Sequence, residues 1–116
     1  MPVPVRPVQA LRLWHDVTLD LVREHEVDLS ARQLAILLTI YLEVPPHTVR
    51  GLAKRLNVTK PVITRALDSM GGMDLVSRRR DDADRRNVIV QRTVKGALFL
   101  DKLGDRIAAR AAELGP

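Results

Sequence analysis

The chain has 116 residues, a net charge of +5, 46% apolar and 28% charged residues, and no cysteine. That length fits one domain, and the composition is globular rather than disordered. Without cysteine there is no disulfide framework, thiolate zinc site, iron–sulfur cluster or thiol redox switch; no apolar run approaches the ~20 residues of a membrane-spanning helix.

Three prolines in residues 1–7 predict an irregular arm, with Pro7 in the first turn of a helix over about 8–25. Val8, Leu11, Trp14, Val17, Leu21 and Val22 recur along it at helical spacing. Ser30 followed by Gln33 forms a capping box for a second helix, about 31–43, stopped by Pro45-Pro46. Thr48 caps a third helix, 49–56, and Thr59 a fourth, about 60–70, with Pro61 in its first turn and Gly71-Gly72 as its αL end. Ile63, Ala66, Leu67 and Met70 form the inward face of that fourth helix. Lys60, Pro61, Thr64, Arg65 and Asp68 point the other way. Leu75 to Arg79 and Asn87 to Gln91 read as two strands joined by a polar hairpin. Thr93 then caps a last helix, about 94–113, with Leu100, Leu103, Ile107, Ala111 and Leu114 along one side.

The charge is segregated. Between Arg50 and Lys95 there are 12 Lys+Arg against 5 Asp+Glu, a local +7, whereas the other residues hold 7 against 9, or −2. A clustered basic segment suits a polyanion, because neutralising phosphates releases counterions; a solvated Arg-rich surface is the alternative. Two short helices followed by two strands is the order of a winged helix-turn-helix, in which the second helix enters the major groove. Lys60, Thr64 and Arg65 are its candidate reading residues, since Arg can bridge two guanine acceptors and Thr can meet a base edge or a thymine methyl. Thr48, Thr59 and the amides they precede suit phosphate oxygens. The hairpin arginines Arg78, Arg79, Arg80, Arg85 and Arg86 suit a narrow minor groove. Arg65 has the alternative of a solvated side chain or a salt bridge to Asp68.

The stretch "LAKRLNVTKPVITRALDSMGGMDLVSRRRDDADRRNVIVQRTVKG" resembles the DNA-binding lobe of the MarR family of bacterial transcriptional regulators, with the likeness running from about Leu29 to Gly96. The family's wing pattern Asp-x-Arg-x5-Leu-Thr falls on Asp84, Arg86 and Thr93, with Arg92 in the Leu position. That departure bears on packing at the start of the last helix and not on the wing. The resemblance implies that Arg86 enters the minor groove, that Asp84 fixes its direction by a charge-assisted hydrogen bond, and that Thr64 and Arg65 meet bases. An exposed turn pair is the plainer reading of Asp84 and Arg86. The DNA-binding set is then Thr48, Arg50, Thr59, Lys60, Pro61, Val62, Thr64 and Arg65, with Arg78, Arg80, Asp84, Arg85 and Arg86 from the wing.

The resemblance further implies a homodimer, with Leu11, Trp14, Leu100, Leu103 and Ile107 at its interface, and a palindromic operator. Members of the family typically end with one more helix after the long one, and that helix is expected to be absent here. Many respond to a small phenolic or aromatic ligand; Trp14 and Tyr41 are candidates to line such a cleft, with a core role the plainer reading of both. The expected fold is mainly α, an α+β winged helix-turn-helix of five to six helices with a two- to three-stranded antiparallel wing. It is expected to form a single domain, 1–116, with a DNA-binding lobe at 30–93 and dimerisation helices at 8–28 and 94–114.

His15, His25 and His47 are far apart in sequence, and a metal site at His25 between Glu24 and Glu26 is less natural than a polar helix end. Asp81, Asp82 and Asp84 read as turn chemistry, and Ser30, Ser69 and Ser77 have no adjacent base. No enzyme, cofactor or metal is therefore expected. With no signal peptide or membrane partner in view, the expected setting is the bacterial cytoplasm, on the nucleoid when bound to DNA. The expected function is a DNA-binding transcriptional regulator, most simply a homodimeric repressor. The alternative is a winged-helix module whose basic face binds an acidic protein.

Overall fold

A computed structural model gives the fold and describes residues 4–24 and 27–115. Residues 1–3 of the expected arm, the last residue of the first predicted helix and the His25 metal question lie outside the described residues. The elements run α1 (Pro7–Glu24), α2 (Ala31–Leu42), β1 (His47–Thr48), α3 (Val49–Leu56), α4 (Lys60–Gly72), β2 (Val76–Arg80), β3 (Val88–Arg92) and α5 (Val94–Ala112). This is a mainly helical α+β fold: five helices and one three-stranded antiparallel sheet, a winged helix-turn-helix.

The chain divides into two compact units. One is Leu29–Leu100; the other combines α1 with the part of α5 from Asp101 onward. The core of the first comes from every element the apolar spacing marks. Ile36, Leu37 and Ile40 of α2 are buried, as are Leu52 and Ala53 of α3, Ile63, Ala66, Leu67 and Met70 of α4, and Leu75, Val76 and Val90. Each fully buried side chain of this size contributes about 1.5–3 kcal/mol. This aliphatic core is what holds the exposed outer face of α4 in place.

The sheet has the order β1-β3-β2, with Val76 opposite Arg92 and Arg80 opposite Val88. The two-residue β1 pairs His47 with Val90 and Thr48 with Ile89. Both wing strands begin one residue later than the sequence pattern predicts. The reason lies at the end of α4, where the Leu75 N–H bonds back to the Met70 carbonyl (2.9 Å) and the Asp74 N–H to that of Gly71 (3.0 Å). These two bonds make a Schellman close, so Leu75 finishes the helix before the ladder starts. The left-handed residue of that close is Asp74, at φ 59°, and not a glycine; Gly71 and Gly72 are helical.

The Ser30–Gln33 capping box forms in both directions, and Thr48 accepts from the Gly51 N–H. Thr59 sits at the N-cap of α4 without a side-chain cap bond, contrary to expectation. Pro61 removes the N2 donor, and the Val62 N–H bonds the Thr59 carbonyl instead (3.1 Å).

In the second unit Val17 and Leu103 are buried. Arg110 joins α5 to α1 through two bonds to Asp20, 2.7 and 2.8 Å, and Arg106 reaches Glu24. Trp14 is not a core residue: 54% of it is exposed, and Val8, Leu11 and Val22 on the same helix are more open still.

Candidate nucleic-acid interface

α3 braces α4 through a three-residue turn in which Asn57 adopts the left-handed conformation, φ 57°. Asn tolerates that region better than most residues, and the turn sets the angle between the helices. With its apolar face turned into the core, α4 leaves Lys60, Pro61, Thr64, Arg65 and Asp68 exposed, as the spacing predicts; Val62 is half-buried. Arg65 has no hydrogen bond or ion pair among the described residues, and the salt bridge to Asp68 that its spacing permits does not form. Asp68 is engaged instead by Arg78 of β2, Nη2 to Oδ1 at 2.7 Å. Thr48 spends its hydroxyl on the α3 cap, whereas the Thr59 hydroxyl takes no partner among the described residues.

The wing hairpin is built from Asx chemistry. Asp81 Oδ1 accepts from the Ala83 N–H (2.9 Å), and Asp84 Oδ1 accepts from the Arg86 N–H (3.1 Å). Asp84 also accepts from the Arg86 side chain, Nε to Oδ1 at 3.2 Å and Nη2 to Oδ2 at 3.4 Å. The Arg86 guanidinium, and after it the Arg86 backbone N–H, holds the Asp84 carboxyl below the usual carboxylate range, with Arg50 adding a weaker attraction. Arg86 is nevertheless 85% exposed, so it is aimed without being covered. Arg80 donates to the Arg85 carbonyl (2.8 Å), which steadies the root of the hairpin tip. Arg85 and Arg50 are exposed.

The sequence pattern missed Arg32. It shares with Arg65 a shallow hollow of about 220 Å³, along with Ser30, Gln33, Val62 and Ala66. A cation in the first turn of a capped helix was the available signal, but it lies outside the basic segment that begins at Arg50. The pattern also missed the part played by Tyr41 and Arg92. The Tyr41 hydroxyl accepts from the Thr93 N–H (2.9 Å) and lies within donating distance of the Leu75 and Thr93 carbonyls. Arg92 lies over the Tyr41 ring at 5.6 Å and donates Nε to the Ile40 carbonyl (3.0 Å). An arginine thus takes up the Leu position of the wing pattern by stacking and by capping the end of α2.

Of the residues expected at a dimer interface, Leu11 and Trp14 are exposed, Leu100 and Ile107 are half-buried, and Leu103 is buried within one chain. Among the described residues no group of three or more His, Cys, Asp or Glu is placed to hold a metal ion, and no helix is long and apolar enough to cross a membrane.

A family model described as "MarR family" matches residues 29–88, just over half of the chain. No curated protein sequence matches it. Among solved structures, the transcriptional repressor CouR bound to a 23-mer DNA duplex is 27% identical, with a TM-score of 0.72, and the match covers 90% of this chain and 70% of that one. The crystal structure of MarR is 26% identical at a TM-score of 0.68, covering 97% and 80%. A transcriptional regulator from Thermotoga maritima is 23% identical at 0.71, covering 92% and 75%, a likeness of fold.

Proposed function

The chain belongs to the MarR family of DNA-binding winged helix-turn-helix transcriptional regulators, which are not enzymes, and from that premise we propose how it reads DNA and to what effect. α4 lies in the major groove, with Thr64 and Arg65 against base edges and Lys60, Thr59 and the first-turn amides on phosphates. Thr48, at the N-cap of α3, and Arg50 contact the flanking backbone, with Pro61 and Val62 packing at the groove edge. The wing enters the adjacent minor groove through Arg86, with Asp84 setting its direction and Arg80 and Arg85 on the sugar–phosphate edges. Two copies bind a palindromic operator with half-sites about one helical turn apart. Occupying that operator blocks polymerase, so the chain acts as a repressor in the bacterial cytoplasm. Recognition of this kind requires no cofactor.

One observation carries the reading. Arg65 is exposed and without a partner among the described residues, on the helix face that also presents Lys60 and Thr64, while Arg86 is exposed yet aimed by a carboxylate. CouR, solved on a DNA duplex, supplies the precedent for the partner.

The test begins with an operator selected from random duplexes, followed by gel shifts with Arg65→Ala and Arg86→Ala. Arg65→Ala is expected to lose about 1–3 kcal/mol of discrimination at one position of each half-site. Arg86→Ala is expected to weaken binding most where the adjacent minor groove is narrow and A·T-rich. If both variants bind the operator as tightly and selectively as the parent, this surface is wrongly assigned.

A further inference from the structure

We infer that the Asp68–Arg78 ion pair is a positioning device that locks the wing to the reading helix. Arg78 thus serves recognition by bracing the other arginines rather than by touching DNA. The inference rests on the proposed function, since it concerns how that surface is held.

The geometry has three parts. First, the pair bridges two elements that carry different readers. Asp68 lies on α4 one turn beyond Arg65, and Arg78 is the central residue of β2, the strand that leads to the wing tip. Second, the Arg78 side chain lies along the last turn of α4: a Cβ at Gly71 would sit 4.0 Å from its Nη2. Its guanidinium is therefore directed at the helix rather than away from the protein, and its side chain is only 31% exposed. Third, Asp68 is a carboxylate on the face that meets a polyanion. Left unpaired it would repel phosphates or draw Arg65 back across the i,i+3 spacing. With Arg78 at 2.7 Å its charge is answered from the wing, and Arg65 keeps its guanidinium uncommitted.

Asp68 is 60% exposed, and ion pairs so open add little to global stability. Its value is geometric. β1 holds the hairpin only through Ile89 and Val90 of β3; beyond those pairs the tip can swing, and swinging spreads Arg86 over positions that miss the groove. A directed, charge-assisted bond between strand and helix narrows that spread.

The experiment has two arms. The absence of native cysteine allows nitroxide labels at Lys54→Cys on α3 and Ala83→Cys on the hairpin, with the label–label distance distribution measured in free protein. Asp68→Asn is expected to broaden that distribution, Arg78→Gln to broaden it equally, and Asp68→Glu to restore most of its width. In the second arm, Arg86→Ala is combined with Asp68→Asn on the selected operator. A wing arginine that costs about tenfold in affinity when removed from the parent is expected to cost about threefold or less once the bridge is gone. An unchanged label distribution overturns the inference. So does strict additivity of the two substitutions in DNA binding. A parent chain with no duplex affinity instead sinks the proposed function, and the label distances still decide whether the bridge holds the hairpin.

Discussion

Gly96 is where a single methyl group does most harm. It is buried at the start of α5, and a Cβ built there would collide with the Tyr41 hydroxyl and the Leu75 carbonyl. The obstruction cannot move aside cheaply, because that hydroxyl also receives the Thr93 N–H at 2.9 Å. Gly96→Ala is expected to destabilise the protein by roughly 1–3 kcal/mol, since either the phenol leaves its partners or the helix shifts. Gly104 lies in the same helix with nothing within 4 Å of a built Cβ. There Ala is expected to stabilise by about 0.5–1 kcal/mol. Urea midpoints of the two variants check the contrast; equal shifts would mean that the Tyr41 joint is soft. Nothing in the local sequence marks Gly96 as special, because the atoms it avoids come from residues 41 and 75.

The elements are legible in the sequence to the extent that their causes are local. The capping box at Ser30 and the Thr48 cap are contacts over three residues, and the apolar face of α4 is a repeat within one helix, so pattern alone finds them. The outer face of α4 follows from its inner one, which is why the spacing by itself marks Lys60, Pro61, Thr64, Arg65 and Asp68 as exposed. Bonds between elements are not legible in this way. Arg78 could choose among DNA, Asp68 and solvent, and only the Schellman close that starts β2 at Val76 brings it beside α4. Asp20 and Arg110 are 90 residues apart and pair in the structure at 2.7 Å. That joint gives a pH prediction. Hydrogen bonding to Arg110, ahead of the weaker attraction of Arg110, Arg106 and Arg23, lowers the Asp20 pKa below its ordinary 3.8. A carboxyl whose pKa is lower folded than unfolded stabilises the fold fully above the unfolded value. It loses that contribution as the pH falls from there through the folded value. The melting temperature of Asp20→Asn is therefore expected to lie below the parent's at about pH 7 and to converge with it below pH 3.8. Thermal scans across that range check it; a gap independent of pH would show that the carboxylate acts by shape and not by charge.

At the scale of the whole molecule, charge and apolar surface occupy different parts of the chain. The segment from Arg50 to Lys95 carries +7 and the remainder −2. The acidic remainder includes α1, where Val8, Leu11, Trp14 and Val22 are each more than half exposed. Single exposed apolar side chains are ordinary, but several on one helix mark a surface that gains by being covered. The second copy proposed above would cover this surface, in the self-complementary contact of a two-fold dimer. Trp14 is the only tryptophan, so its emission reports on this surface alone. Dilution is expected to shift that emission to the red as the dimer dissociates, with sedimentation velocity giving the same midpoint. Leu11→Glu is expected to hold the chain monomeric at concentrations where the parent is a dimer, because a charge at the centre of an apolar contact must be desolvated without a partner. Its binding to a palindromic operator should then fall toward that of a half-site, and the dependence of log K on log salt should fall to about half the parent's slope, since each lobe contributes its own released counterions. Arg86→Ala, by contrast, is expected to leave the sedimentation coefficient unchanged and to reduce that slope by about one counterion per arginine removed from a phosphate or groove. An emission that is insensitive to dilution, together with full operator affinity in Leu11→Glu, would show that α1 is not the surface through which two copies meet.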